Sequence, residues 1–464
     1  MEQTSGTVCP MVLALRYMAK TKTAAPAIEA KARRYVAQGY KKLRTFESKR
    51  MPGGFALWVD GSPTVFLTAY GLMQFVDMGQ VHPVEPALLE RMKAFLRAQQ
   101  LPDGSFTAGN LAHRWGAWQE TPFYMTAYVA WALGRAGEDT TKALAYLRTH
   151  RAEVEDPYGV ALAGLAFAAA NRASPDASAI VTQLLAQSTE AGEAVSWGPA
   201  GETFIGGRGL TGRIETTAMV ALLLQRTGLR PDVASRAMDT LVGWRTADGR
   251  FGSTHSTALA LRALLRAPAD GALPATSVMV RSKGKELRRA VIPAHSTEPV
   301  RVELGTVDPS TLGFALETDG RVRGTLSRTT YEPWDKTTLP QGPLRITVAW
   351  GEGPLEVHGE YVATVTIRNS GKAKAKVVTA EVGLPPGITV KPSAVTGPGL
   401  EEAERAARRL VLYLDTMAPG EARTFQVPFR VRHAFRVHTA STRVYEYYAE
   451  HEGTVVPPVF LEAR

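Results

Sequence analysis

The chain has 464 residues, of which 45% are hydrophobic and 21% charged, and this length and balance predict a globular protein of several domains. No apolar run is long enough to cross a bilayer, and the polar, acidic start at residues 1–4 lacks the segments of a secretory signal peptide. Cys9 is the only cysteine, which excludes an internal disulfide and a cysteine-rich metal site. We expect no metal and no cofactor.

The formal net charge of +10 raises the question of an acidic partner such as a nucleic acid. The positive charge is densest at residues 31–50, where apolar residues recur at helical spacing between the basic ones. This pattern predicts an amphipathic helix with a solvated basic face. Because no nucleic-acid-binding motif accompanies it, we expect no nucleic-acid partner.

Residues 1–270 are rich in Ala and Leu, and a small-residue motif recurs along them within stretches that are apolar on all sides. Such stretches predict buried helices, and residues 7–18 supply a sixth of them. More amphipathic segments lie between them, at residues 27–46, 86–98, 140–150, 177–187 and 232–244. Six inner helices alternating with wetter outer ones predict an α/α toroid of six helix pairs. The five motifs are Thr68-Ala69-Tyr70, Thr126-Ala127-Tyr128, Val160-Ala161-Leu162, Thr217-Ala218-Met219 and Thr257-Ala258-Leu259.

Glycine followed by an aromatic residue punctuates the helical region, as in the sequences that end at Phe55, Phe106 and Phe251. Glycine adopts the left-handed backbone conformation that tight turns need, and the ring then folds back into the core. These segments predict structural turns at one rim of the toroid.

After residue 270 the pattern changes to the alternation of apolar and polar residues that is typical of β-strands. Residues 271–338 predict a short set of strands, and residues 339–464 are long enough for an antiparallel β-sandwich. Within the sandwich, residues 399–409 are strong helix formers and predict one short helix. The fold class is therefore multidomain α + β, with the toroid first and the β modules after it.

Several segments resemble the α2-macroglobulin family, and their order along the chain is more specific than any one of them. The start of the chain resembles the end of the Cys-x-Glu-Gln thioester motif that α2-macroglobulins share with complement proteins. The later segments resemble bacterial members, and the last is similar to the closing strand of the family's receptor-binding-type domain. The segments are Met1-Glu2-Gln3-Thr4-Ser5, Gly54-Phe55-Ala56-Leu57-Trp58, Leu67-Thr68-Ala69-Tyr70, Gln100 to Phe106, Thr126-Ala127-Tyr128 and Val444-Tyr445-Glu446-Tyr447-Tyr448.

The resemblance implies a thioester-type domain at residues 1–270, the second half of a CUB-like domain at 271–338 and a receptor-binding-type macroglobulin domain at 339–464. In the family, a cysteine condenses with the glutamine of the motif, and the resulting thioester acylates an amine of an attacking protease. By this match Gln3 is the acyl donor and Glu2 its neighbour, and the cysteine is expected immediately before Met1. Cys9 does not match the motif and is interpreted as a small buried residue.

The resemblance also implies a function: the C-terminal part of a protease inhibitor that traps its targets, and not an enzyme. The partners implied are target proteases and the remaining macroglobulin domains of the parent protein. The parent is expected to be periplasmic or extracellular, and bacterial.

Two further sets of residues take candidate roles from the resemblance. His113 lies one residue out of register with a histidine that redirects acyl transfer in some complement proteins, and a rim-loop histidine is the structural alternative. Tyr445, Tyr447 and Tyr448 are candidates for aromatic side chains that shield the thioester from water. Alternation on a strand would place Tyr445 and Tyr447 on one face, and sandwich core is their alternative role.

Two other classes of protein remain open on the sequence. An α/α toroid also carries carbohydrate-active enzymes, and Glu120, Glu215 and Asp248 are expected to reach one rim, where they either act as acids or cap helices and close turns. An acidic groove with paired carboxylates would favour the enzyme. An adhesion or scaffold protein could keep the macroglobulin architecture without its chemistry.

Overall fold

The computed structural model describes the chain except residues 22–25, 108–121, 247–248, 266–274, 295–299, 317–321, 323, 325, 328, 330 and 352. The side chains of Glu2, Gln3, Thr21 and Pro309 also lie outside the described part. In that part of the chain, no helix is both long enough and apolar enough to span a membrane.

Six inner helices form a ring, and outer helices pack around them. The ring closes because α1 contacts both the second and the last inner helix. The inner helices are α1 (Glu2–Thr21), α3 (Val65–Met78), α5 (Pro122–Arg135), α7 (Pro157–Ala170), α9 (Gly209–Thr227) and α11 (Thr254–Leu264). The outer helices described are α2 (Pro26–Arg44), α4 (Pro86–Ala98), α6 (Thr141–His150), α8 (Pro175–Ala186) and α10 (Pro231–Gly243).

The two kinds of helix bury different fractions of their surface, as the sequence predicts. Nearly every residue of α3 and α7 is buried, whereas α2 buries only one stripe, at Ala32, Val36, Gly39 and Leu43. Small residues let inner helices approach closely: a Cβ added to Gly164 of α7 would lie 2.5 Å from Leu223 of α9. The predicted α/α toroid is confirmed.

The threonines of the repeated motif are hydrogen-bonded to the glycine-aromatic turns. In α5, Thr126 accepts a hydrogen bond from the backbone N–H of Phe106 (2.8 Å), and both residues are fully buried. Gly104 makes the turn possible, because its φ is +89° and an added Cβ would lie 2.4 Å from a backbone oxygen of α6. The same bond joins Thr68 to Phe55, Thr217 to Trp197 and Thr257 to Phe251. Each threonine therefore anchors a turn to an inner helix.

A buried carboxylate links four inner helices at the end of the ring where those helices finish. Asp77, near the end of α3, has a side chain that is 3% exposed and pairs with Arg16 of α1 (2.5 Å), Arg135 of α5 (2.5 Å) and Arg262 of α11 (2.9 Å). Burial alone would raise the pKa of Asp77, but the three guanidiniums lower it to about 2. The carboxylate is therefore ionised throughout the ordinary pH range.

Residues 275–316 form a small antiparallel sheet in the order β6-β5-β7. Its strands are β5 (Thr276–Ser282), β6 (Lys285–Ile292) and β7 (Leu312–Leu316). Two large apolar side chains on it, Val291 and Phe314, are about 60% exposed. Two short two-stranded sheets lie between helices of the ring. One joins β1 (Phe55–Ala56) and β2 (Pro63–Thr64), and the other joins β3 (Thr189–Ala191) and β4 (Ala194–Ser196).

Residues 344–463 form a sandwich of two antiparallel sheets around a separate apolar core. The five-stranded sheet has the order β12-β13-β10-β16-β17 and the four-stranded sheet the order β11-β14-β9-β8, and β15 pairs with β18. The strands are β8 (Leu344–Ala349), β9 (Glu360–Asn369), β10 (Val378–Gly383), β11 (Ile388–Val390), β12 (Leu400–Ala406), β13 (Arg409–Leu414), β14 (Ala422–Val431), β15 (Phe435–His438), β16 (Thr442–Glu446), β17 (Thr454–Val456) and β18 (Phe460–Ala463).

The helix predicted at residues 399–409 is wrong, because these residues form β12 and the turn into β13. The helix preference of Glu and Ala is worth only a few tenths of a kcal/mol per residue. Pairing along the whole of β13 supplies backbone hydrogen bonds that outweigh this preference.

We predict that Thr126→Val lowers the free energy of unfolding by about 1–3 kcal/mol, because the substitution keeps the shape and leaves the buried N–H of Phe106 without its acceptor. Urea unfolding measures the change. The matched control is Thr149→Val, since Thr149 is exposed and should cost less than about 0.5 kcal/mol. Equal losses in the two variants would contradict the anchoring role.

We also predict that Asp77→Asn costs about 3–5 kcal/mol at neutral pH, because it leaves three guanidiniums without their shared carboxylate. The contribution of a carboxyl whose pKa is lowered is present above its ordinary pKa of 3.8 and is lost as the pH falls toward about 2. The two proteins should therefore converge in stability in acid. Asp176→Asn is the control: it breaks only an exposed pair with Arg148, worth at most about 1 kcal/mol.

Candidate functional site

The start of α1 is buried at the face of the ring opposite the Asp77 cluster. Met1 is 4% exposed, and its main-chain nitrogen donates to the carbonyl of Leu57 (2.5 Å). Its side chain fills the space over Gly71 of α3, where an added Cβ would lie 2.6 Å from the Met1 methyl. The residue next to Glu2 and Gln3 is thus packed against the ring.

The β12–β13 hairpin of the sandwich covers this start. Trp58 follows Leu57 in the chain, and its ring contacts the Tyr413 ring edge-on, with the two centroids 6.5 Å apart. Tyr413 in turn donates a hydrogen bond to Glu404 of β12 (2.8 Å). Burial and the neighbouring Glu404 raise the pKa of Glu402 on β12. The start of α1 therefore faces the edge of the five-stranded sheet.

A row of side chains crosses the outer face of that sheet. Tyr413 on β13, Thr379 on β10 and Tyr445 on β16 are directly paired, so they lie on the face that Tyr413 presents to the ring. Tyr445 donates to Glu381 (2.9 Å), and Arg443 lies 5.0 Å from the centre of its ring. Burial first, and then the Glu381 carboxylate, raise the pKa of Tyr445 well above its usual value. Tyr445 is a neutral, fixed part of the covering sheet.

The chain leaves β16 at Glu446 and turns onto the ring. Residues Tyr447–Glu452 form a 3₁₀ turn, in which Tyr448 is buried within the same apolar cluster as Met1 and Tyr447 packs against that cluster. The expectation that Tyr445 and Tyr447 alternate on one strand is therefore wrong, because the strand ends between them. Because β16 ends at Glu446, both Tyr447 and Tyr448 contact the helices of the ring. We use the name covering surface for Val377, Val411, Tyr413, Tyr447 and Tyr448, which belong to the sandwich and pack with the ring core.

Ion pairs between the two parts surround the covering surface. One carboxylate oxygen of Glu446 pairs with Arg208, just before α9, while the other accepts from the backbone N–H of Lys376 (2.9 Å). The Lys376 ammonium pairs with Glu202. A more open pair joins Arg250 and Glu450 (3.9 Å). These contacts hold the sandwich against the ring around an apolar centre.

Several sequence-predicted residues lie elsewhere or beyond what is described. The backbone of Glu2 and Gln3 forms the first turn of α1, but their side chains lie outside the described part. His113, Glu120 and Asp248 fall entirely outside the described residues. The expectation that Glu215 reaches a rim is wrong: it lies in α9, fully buried. Among the described residues, no group of three or more His, Cys, Asp or Glu side chains is placed to hold a metal ion.

Sequence reasoning missed three of the five residues of the covering surface, namely Val377, Val411 and Tyr413. A signal was present in β13, where Leu410 to Leu414 are apolar at every position. A sandwich strand with one solvated face alternates between apolar and polar residues, so a continuous apolar run indicates that both faces are buried. One face of β13 packs in the sandwich core, and the ring covers its other face.

The fold is similar to that of solved bacterial alpha-2-macroglobulins, with all of this chain covered in each case. Native E. coli alpha-2-macroglobulin matches at a TM-score of 0.70 and 16% identity over 29% of its length. Salmonella alpha-2-macroglobulin reacted with methylamine matches at 0.66 and 17% over 30% of its length. A native E. coli structure from domain MG7 to the C-terminus matches at 0.66 and 17% over 73%. The chain thus spans less than a third of the full-length structures it resembles.

Two family models match the chain in the order of its parts. The A-macroglobulin receptor binding domain matches residues 373–456, which contain most of the sandwich and all of the covering surface. The A-macroglobulin TED domain matches residues 1–266, which contain the whole ring. This second match extends over more than half of the sequence, and the chain therefore belongs to the A-macroglobulin family.

Proposed function

We propose that this chain is the C-terminal part of an inhibitor that traps proteases, and that Gln3 supplies the acyl group of a thioester that captures them covalently. The observation that carries the proposal is the burial of the start of α1 beneath the covering surface. A thioester hydrolyses unless water is kept away from it, so a protein that uses one needs a cover of this kind. The family match to residues 1–266 supports the same reading.

The proposed chemistry balances without a cofactor. The thiolate of a cysteine immediately before Met1 attacks the side-chain carbonyl carbon of Gln3, and ammonia leaves to give the thioester. When the cover lifts, a lysine amine of the protease attacks the same carbon, an amide forms and the thiol is released. No step in this sequence regenerates the thioester, so each molecule reacts once and acts as an inhibitor and not as an enzyme.

The separation of ring and cover is the proposed trigger. The contacts between them combine a small aromatic centre with ion pairs such as Arg208 with Glu446, which is the kind of interface that two rigid bodies can exchange for solvent. Cleavage elsewhere in the parent would strain this interface and expose the start of α1. The proposed domains are residues 1–270, 271–338 and 339–464, the middle one being the second half of a CUB-like domain.

The proposal includes the wider setting of the parent protein. Its partners are target proteases and further macroglobulin domains, and its location is periplasmic or extracellular. His113 stays a proposed modulator of acyl transfer. A carbohydrate-active enzyme is not favoured by the described residues, since Glu215 is buried and a cavity at the other face of the ring is lined by Arg and Lys side chains. A scaffold without thioester chemistry is the outcome if capture fails.

The first test is the covalent capture of a protease by the full-length protein. Gln3→Ala should abolish the covalent product seen on denaturing gels, because no acyl carbon remains, while Gln38→Ala, on the exposed face of α2, should leave it unchanged. Mass spectrometry of the unreacted protein should show the loss of one ammonia only where Gln3 is present. An undiminished covalent product in Gln3→Ala, or a residue other than cysteine before Met1, would reject the thioester.

The second test concerns the cover. Tyr448→Ala should accelerate the methylamine-dependent release of the thiol several-fold, because it opens the apolar seal between the 3₁₀ turn and the ring. Tyr331→Ala is the control, since Tyr331 is 95% exposed. Thermal unfolding shows whether each variant keeps its fold. If the two variants release the thiol at the same rate, Tyr448 does not shield it.

A further inference from the structure

A second candidate site lies at the opposite face of the ring, where the inner helices end. A cavity of about 430 Å³ is lined there by residues at the carboxyl ends of α1, α3, α7, α9 and α11. Five of its lining side chains are basic, and no Asp or Glu is among the described residues that line it: the basic residues are Arg16, Lys20, Arg172, Arg226 and Arg262. The cavity therefore has an electrostatic character unlike that of the covered face.

The positive charge exceeds what the fold itself needs. The nearby Asp77 carboxylate is already shared by Arg16, Arg135 and Arg262. Six helix ends contribute roughly half a negative charge each. Six basic side chains, counting Arg135, therefore outweigh one carboxylate and these helix ends by roughly two charges. An excess of this kind at a partly buried site favours the binding of an anion.

The charges are graded from the floor to the mouth of the cavity. Arg262 forms the floor with a side chain that is 10% exposed, and its Nε atom is buried with no hydrogen-bond partner among the described residues. Lys20 and Arg172 stand exposed at the mouth, and neither pairs with a described carboxylate. A buried, unpaired donor carries a cost of about 1–3 kcal/mol, which a bound oxygen would remove. Lys20 and Arg172 would therefore attract an anion, and Arg262 Nε would donate a hydrogen bond to it.

One acceptor on the wall narrows the kind of anion. Gln225 donates through Nε2 to the carbonyl of Ala263 (3.0 Å), which fixes its orientation, and its Oε1 is buried with no partner among the described residues. A ligand that satisfies this oxygen must bring a hydrogen-bond donor. At neutral pH inorganic phosphate keeps at least one O–H, whereas sulfate and the dianion of a phosphate monoester have none.

We propose that this cavity binds inorganic hydrogen phosphate, with its anionic oxygens toward Arg262 and the basic mouth and its O–H toward Gln225. The recessed floor favours a soluble ligand over a membrane surface, because a lipid headgroup would have to leave its bilayer to reach Arg262. The site is independent of the proposed thioester, since it occupies the other face of the ring.

Calorimetric titration of the whole chain with inorganic phosphate at low ionic strength tests the proposal. We expect saturable binding of one phosphate, weaker binding of sulfate, and at least a roughly tenfold loss of phosphate affinity in the double variant Lys20→Ala, Arg172→Ala. The control is the double variant Lys142→Ala, Arg50→Ala. It removes the same charge from two exposed residues outside the cavity. Both double variants should unfold at the temperature of the unaltered chain.

Four results would overturn the proposal. The first is the absence of saturable phosphate binding, which would leave the basic residues as partners of the helix ends alone. The second is sulfate binding as tight as phosphate binding, and the third an equal loss in the control variant. The fourth is co-sedimentation with phosphatidylglycerol vesicles that depends on Lys20 and Arg172 in a protein that binds no phosphate, which would identify a membrane surface.

Discussion

The parallel packing of the inner helices is the constraint on which the rest of the molecule depends. Helices that are apolar on all sides must be surrounded by protein, and a closed ring achieves this for six of them at once. Their common direction collects the amino ends at one face and the carboxyl ends at the other. The face with the amino ends has an apolar centre that the sandwich covers, while the other face gathers arginines around Asp77. The two candidate sites follow from that polarity.

The helix α1 joins the two faces. It begins at the covered face with Met1 and passes Arg16 before it ends at Thr21 beside the basic cavity. The salt bridge between Arg16 and Asp77 fixes the far end of this helix, and the packing of Met1 over Gly71 fixes the near end. A helix anchored at both ends presents its first turn in one position, which is what a reactive group in that turn would need.

Much of the ring could be predicted from the sequence because its signals are local. Helical periodicity identifies the outer helices within a few residues of their observed bounds, and each small-residue motif lies inside one of the inner helices. The errors occur where distant parts meet. Pairing with β13 makes a strand of residues with helix preference, and the 3₁₀ turn at Tyr447 exists because the ring offers an apolar surface there. The burial of Glu215 likewise depends on helix packing and not on its neighbours in sequence.

The carboxylate of Glu446 has a consequence for how the sandwich leaves the ring. It fastens the end of β16 to Arg208 and to the segment before β10, so one acid holds three pieces of chain in place. The screening length is about 10 Å in 0.1 M salt and about 3 Å in 1 M salt, so concentrated salt weakens partly exposed ion pairs but does not weaken aromatic packing. Concentrated salt would therefore weaken the ion pairs around the interface between sandwich and ring, while the apolar contacts at its centre persist. Electrolyte would in this way act on the charged part of this interface and leave its apolar part in place.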